Sequence, residues 1–413
     1  MPRRYKIGVI GTGDRATAFT PQLHEKMERA GLFGLCDVDA DRLGRYVEVN
    51  KLDGVRTFTD VDEFLAQKDL DAVIATVPEF AHRDVTVQAL RAGKPIYLEK
   101  PIAHTLDAAY DMLEAQRETG GLAYLGFNLR ASVAYNRIRE IVRSGVLGQI
   151  VHIDGVEQLH VAHIASFMRR FHRRSEHSGG FLNTKCCHDL DIMNWLVGHE
   201  HRVVRISSFG GCNVFLPSKL PGAAAHCRLC PTEVYRACPY KAPGSDDLRR
   251  GTKQPVKSST PDLYPGDLCV FTPDKDLIDN QTVIMEWDNG VRGSFNLQGF
   301  QHDGNRMSRI WGERGVLDFD GQREPHVRVT HSDSGDVDTS HFEPRKGGHG
   351  GTDAQMIDRF IDAIERGDVG DSGLKEGLAA SIVAFKADES RLTGRTVEIP
   401  REAYEGRAAV ARG

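Results

Sequence analysis

The feature that most constrains this chain is a glycine turn set between a short apolar strand and helical sequence near its start. Tyr5–Ile10 reads as a buried strand, and Gly11-Thr12-Gly13-Asp14-Arg15-Ala16 follows it directly. In a G-x-G-x-x-A pattern the first glycine permits a tight turn, and the second lets the backbone approach a ligand. The alanine is small enough for close helix–strand packing. The start of the following helix, expected over Pro21–Ala30, offers backbone N–H groups to phosphates. A second strand, Leu32–Cys36, ends at Asp37, about 25 residues after the turn, where a carboxylate accepts ribose hydroxyls. Asp37 repels a 2′-phosphate and Val38 follows it, a combination that selects NAD over NADP.

The pattern continues. Apolar runs at Ala72–Thr76, Ile96–Leu98 and Ala123–Phe127 alternate with helical periodicity at Val61–Ala66, Arg83–Ala92 and Leu106–Thr119. Such alternation predicts an α/β fold, a doubly wound parallel Rossmann sheet over residues 1–126. A chain of 413 residues exceeds one ordinary core, which points to a second domain over 127–413. There, helices at Tyr135–Ser144, Cys187–Leu196, Asp353–Arg366 and Leu374–Leu392 accompany many short strand-like runs. They predict a C-terminal α/β domain with a large open, mostly antiparallel sheet and a Cys-rich excursion at 215–269.

Composition excludes several classes of partner. A formal charge of −5 gives no pull toward nucleic acid. No apolar run approaches the ~20 residues needed to span a bilayer. The start lacks the pattern of a secretory signal, so the expected location is cytoplasmic. Eight cysteines then read as reduced thiols or metal ligands rather than disulfides.

Glu99-Lys100-Pro101, at the end of the Ile96–Leu98 strand, resembles the motif of the Gfo/Idh/MocA oxidoreductases. Thr76-Val77-Pro78 with His82 is similar to that family's T-x-P-x-x-x-H loop, and Gly126-Phe127-Asn128-Leu129-Arg130 to its sixth strand. Gly179-Gly180 and His188-Asp189-Leu190-Asp191 resemble its active-site helix, and His349-Gly350-Gly351-Thr352-Asp353 opens a late helix as in the sugar-acting branch. The resemblance implies NAD(P), hydride transfer at a sugar or cyclitol hydroxyl, a cis Pro101 peptide and homo-oligomers formed through the C-terminal sheet. It adds Thr76, Pro78 and His82, then Glu99, Lys100 and Asn128, to the cofactor residues of the glycine turn and Asp37.

Oxidising an alcohol requires a base for the hydroxyl proton while hydride leaves. Lys100 stands at the carboxyl end of a parallel strand, where ligands bind in such sheets. His188 is a candidate relay near neutral pH, and Asp189 a substrate contact. The inositol-dehydrogenase pattern has aspartate four residues before this histidine, where this chain has Thr184. Lys185 is therefore expected to serve instead, as second base or as donor to a ring hydroxyl. Cys186 and Cys187 read as packing.

The loop Arg169-Arg170-Phe171-His172-Arg173-Arg174 is the densest cluster of cations, an anion trap if it faces the cleft and a salt-bridged loop otherwise. Cys227-x-x-Cys230 with Cys238 has knuckle spacing for a structural zinc, with His226, Cys212 or Cys269 as fourth ligand; free thiols are the alternative. No catalytic metal is expected.

Three functions fit these residues. In the first, hydride leaves a ring hydroxyl, expected at C3, of a sugar or glycoside, anionic if the arginines face it. In the second, an NAD-dependent glycosidase oxidises C3, eliminates the aglycone, adds water and returns the hydride; a sulfoquinovoside is one such anionic substrate. The third is a non-catalytic sugar or NAD sensor.

Overall fold

The computed structural model describes residues 4–253, 263–264, 266–321, 325–343 and 352–407. The His349-Gly350-Gly351 part of the late motif lies outside the described residues. Six strands, β1 (Tyr5–Ile10), β2 (Ala30–Cys36), β3 (Arg56–Phe58), β4 (Ala72–Ala75), β5 (Ile96–Leu98) and β6 (Ala123–Leu125), form one sheet in the order β3-β2-β1-β4-β5-β6. All its pairings are parallel. The order reverses at β1 and β4, so the crevice of the doubly wound sheet opens beside the glycine turn.

The helix expected after that turn is replaced by a 3-10 turn, Asp14–Ala18, and a single π turn, Gln22–Lys26. Pro21 supplies no N–H and caps the second piece. The Thr17 hydroxyl donates to the Asp14 carbonyl at 2.6 Å, competing with helical pairing.

The second sheet comprises β7 (Ile150–His160), β8 (Val203–Gly211), β9 (Asn280–Trp287), β10 (Arg292–Gln301), β11 (Asn305–Gly312), β12 (Gly315–Asp320), β13 (His326–His331), β14 (Val337–His341) and β15 (Val397–Glu398). Its order is β14-β13-β12-β11-β7-β10-β9-β8-β15. Only the β7/β10 pair among these is parallel. Strict alternation along β10 buries Gly293, Phe295 and Leu297 on the inner face. Two long helices, Phe181–Val197 and Leu374–Thr393, pack on that face. The Asp353–Arg366 helix returns to the first sheet: Phe360 meets Tyr97 edge-on at 5.9 Å, and Met356 and Ile357 join the cluster holding Ile7 and Val9.

Between β8 and β9 the chain leaves the sheet through a neck closed by Asp279. This fully buried carboxylate accepts N–H bonds from Asn213, Val214 and Phe215 at 2.7–3.2 Å.

Candidate active site

The glycine turn is held from below. Thr76 donates its hydroxyl to the Gly11 carbonyl at 2.6 Å. A Cβ on Gly11 would lie 2.9 Å from the Thr76 and Val77 backbone at a φ of +90°, so only glycine fits. A Cβ on Gly13 would meet nothing within 4 Å, which leaves the mouth of the turn open. Asp37 is buried at the end of β2; its Oδ2 accepts from Thr12 N at 2.8 Å and Thr12 Oγ1 at 2.7 Å, and its Oδ1 from Asp39 N at 2.9 Å. A carboxylate has about four lone-pair sites, which leaves capacity for a ribose hydroxyl. Asn128 is buried with its Oδ1 unpaired, a polar atom awaiting a partner. The open turn, the acid beyond β2 and this orphaned oxygen fit NAD.

Other residues expected at the cofactor hold the frame. Arg15 donates to Glu99 Oε1 at 2.8 Å and pairs with Asp353 Oδ1 at 2.8 Å, joining the turn to β5 and the late helix. Asp14 is exposed beside the turn, and Pro78 caps the short turn after β4. His82 sets both ring nitrogens on backbone carbonyls, Pro101 O at 2.8 Å and Val77 O at 3.0 Å, and so staples two loops beside the turn.

Lys100 follows β5 at a cis Lys100–Pro101 peptide, and its Nζ donates to the Thr184 carbonyl at 3.2 Å. The Phe181–Val197 helix brings Lys185, His188 and Asp189 to the same region, all buried. His188 stands edge-on to Phe127 at 6.1 Å. Lys185 pairs with Glu157 Oε1 at 3.0 Å, Glu157 Oε2 with Arg306 at 2.7 Å, and Arg306 with Asp189 Oδ1 at 2.8 Å. Burial works to raise both carboxyls; Arg306 and Lys185 override it at Glu157, which is lowered, whereas Asp189, facing the Glu157 charge, is pushed up. Lys185, expected as second base or as donor, thus sits in a chain of alternating charges.

Thr184 occupies the place of the missing aspartate, and its hydroxyl donates to Glu79 Oε1 at 2.5 Å. His172 Nε2 lies 3.4 Å from the same oxygen. Burial works to raise the Glu79 carboxyl, but His172, His82 and the Thr184 hydroxyl bring it down to about 2. A carboxylate therefore stands beside residue 184 after all, supplied by the loop after β4.

Three of the loop's four arginines are taken up by partners within the protein. Arg169 is buried and donates to the carbonyls of Ala165 and Tyr240. Arg173 and Arg174 both grip Asp274, at 2.9 and 2.7 Å. Arg170 is half exposed and pairs with Asp14 at 2.9 Å. The salt-bridged alternative describes Arg173 and Arg174, whose acid, Asp274, lies about a hundred residues later, where spacing gives no warning. Cys227, Cys230, Cys238 and Cys269 are free thiols near one another, and among the described residues no group of three His, Cys, Asp or Glu is placed to hold an ion. Cys186 and Cys187 are packed, and burial pushes the Cys187 thiol up to about 12.

Sequence reasoning passed over Glu79, Glu157, His163 and Arg306. Glu157 had a readable signal, a charge in the inward register of β7 between Gly155 and Leu159. Arg306 is its cross-strand partner on β11. His163 is exposed on its helix but near Lys185 and Lys100; partial desolvation and these two charges lower its ring below the usual range.

Comparison with known proteins agrees with this fold. A family model described as an oxidoreductase family with an NAD-binding Rossmann fold matches residues 5–127. Its C-terminal alpha/beta domain matches residues 139–399. The chain is 25% identical over 393 residues to YteT of Bacillus subtilis, covering 87% of this chain and 90% of that protein. It is 25% identical over 202 residues to the inositol 2-dehydrogenase of Salmonella typhimurium, covering 49% of this chain and 57% of that enzyme, little more than half its length. The scyllo-inositol dehydrogenase of Lactobacillus casei, solved with NAD(H) and scyllo-inositol, superposes with a TM-score of 0.69 at 18% identity, covering 96% and 99% of the two chains. At that identity the likeness concerns the fold.

Proposed function

Since the chain belongs to the Gfo/Idh/MocA family of NAD-dependent oxidoreductases, we propose that it moves a hydride at a secondary ring hydroxyl of a neutral sugar, cyclitol or glycoside. The observation that carries this reading is Lys100, set after a parallel strand and tethered by a single hydrogen bond to Thr184 O. When bound, NAD supplies the hydride acceptor. Lys100 takes the hydroxyl proton as the carbon is oxidised. Lys185, paired with Glu157, donates to a neighbouring ring hydroxyl, while Asp189 and His188 flank it. Alternating cations and carboxyls suit a polyhydroxylated, uncharged ligand, which needs donors and acceptors in equal measure. The division into residues 1–126 and 127–413, and assembly through the second sheet, belong to the same proposal.

A second reading, net glycoside hydrolysis with the hydride returned, is favoured by the crowding of Lys100, Lys185, His188 and His163 about one cleft. Elimination and hydration need more than one proton-transfer group. Incubation with NAD and a panel of polyols, sugars and aryl glycosides decides between them. NADH formed in proportion to product supports a dehydrogenase; released aglycone without net NADH supports the glycosidase. Folded, NAD-loaded protein that does neither with any ring polyol or glycoside overturns the proposal.

A further inference from the structure

The described contacts close a circuit around the mouth of the glycine turn. Asp14 pairs with Arg170 at 2.9 Å. Phe171, next along the chain, meets the ring of Tyr264 edge-on with centroids 5.7 Å apart. The Arg42 guanidinium lies over the other side of that ring, 5.1 Å from its centroid. Arg42 in turn stands 3.6 Å from Asp37 Oδ1, and Asp37 returns to the turn through Thr12 N at 2.8 Å. Tyr264 belongs to the segment between β8 and β9, so the excursion reaches over the first sheet to complete the circuit. Gly13, where a Cβ would meet nothing within 4 Å, lies in the chain between the circuit's Thr12 and Asp14, and Asp37, the acid at the end of β2, is one of its links.

We infer that Tyr264, with Arg42 and Arg170, forms a strap over the dinucleotide cleft that retains NAD from one turnover to the next. The chemistry of the strap suits that cargo. An aromatic face accepts stacking from a base or ribose, and two guanidinium groups flank the place where a pyrophosphate's charge is received. Arg170 leaves an exposed carboxylate worth little to it for a doubly charged group, so loading strengthens the circuit. Release then requires the ring to leave both Arg42 and Phe171, a change that acts on the rate of departure more than on the rate of entry.

This inference rests on the NAD reading and is separable from it. The purified protein is loaded with isotopically labelled NAD, passed through gel filtration and chased with unlabelled NAD; bound label is counted against time. The wild type should keep its label through the column. Tyr264→Ala and Arg170→Ala should each lose it about tenfold faster or more. Tyr264→Phe, which keeps the ring, should behave as the wild type, and an unchanged melting temperature guards against misfolding. Variants that release at the wild-type rate overturn the strap, as does a wild type that exchanges fully before the column ends. A protein that takes up no NAD at all overturns the underlying reading instead.

Discussion

Thr184 joins two elements on one residue. Its hydroxyl donates to Glu79 from the loop after β4, and Lys100 is anchored on its carbonyl. Replacing Lys100 by methionine should lower turnover about a thousandfold, the usual worth of a positioned base, while NAD binding measured by calorimetry stays within about threefold. Loss of NAD binding would mean that the lysine holds the cofactor instead. Glu79 gives a pH signature. In the folded chain its carboxyl titrates near 2 against an ordinary 4.5, because His172 outweighs the effect of burial. The stabilisation is present above pH 4.5 and is lost as pH falls through 2, since the unfolded chain takes up the proton first. Glu79→Gln should therefore cost about 2–3 kcal/mol at neutral pH. The gap to wild type in urea unfolding should shrink from pH 5 downward by about that amount; parallel curves would show that the charge is not what matters. Lys100, Lys185 and His188 were legible because motifs number them. Glu79 was not, because nothing in Thr-Val-Pro-Glu says that its side chain crosses to a helix about a hundred residues away.

Elements were easier to read than their joints. Period-two and period-3.6 patterns placed β1, β5, β6 and the late helices, since burial enforces both periods. The helix expected over Pro21–Ala30 is cut to a π turn over Gln22–Lys26, because the chain is already extended at Met27 and enters β2 at Ala30. The joint between the first sheet and the Phe181–Val197 helix is an ion pair that no periodicity announces. Arg130, after β6, donates to both oxygens of Asp191, at 2.8 and 2.5 Å, and both residues are buried. Breaking such a pair leaves a guanidinium without its main counter-charge, at a cost of about 3–5 kcal/mol. Asp371 lies 3.5 Å from Arg130 and softens the loss, so Asp191→Ala should fall near the lower end, about 3 kcal/mol by urea denaturation. A change under about 1 kcal/mol would place the joint elsewhere.

At the scale of the whole molecule, two sheets meet, and Tyr264 from the segment between β8 and β9 reaches Arg42 beside the first. Spacing alone showed that segment as a cysteine-rich loop; its contact with Arg42 depends on how the sheets meet, which is tertiary information. The second sheet raises a further question, because its two faces are unequal. The inner one is covered by two long helices, whereas the outer one carries Phe209 on β8 and Ile284 on β9, 73% and 54% exposed. In the antiparallel register Phe209 faces Thr282 and Ser207 faces Ile284, so the two apolar side chains are diagonal neighbours on one surface. Arg205 and Glu286 pair beside them, giving a patch with an apolar centre and a charged rim, the usual anatomy of an interface. A second copy of this chain can cover it by presenting the same face, which is self-complementary about a twofold axis. Sedimentation at micromolar concentration should therefore show a dimer or a larger closed assembly. Phe209→Glu, which places a charge at the centre of the patch, should shift the population toward monomer with the melting profile of NAD loading unchanged. A wild-type monomer, or an assembly indifferent to this substitution, would leave the outer face without that role and send the search for the interface to the edges at β14 and β15.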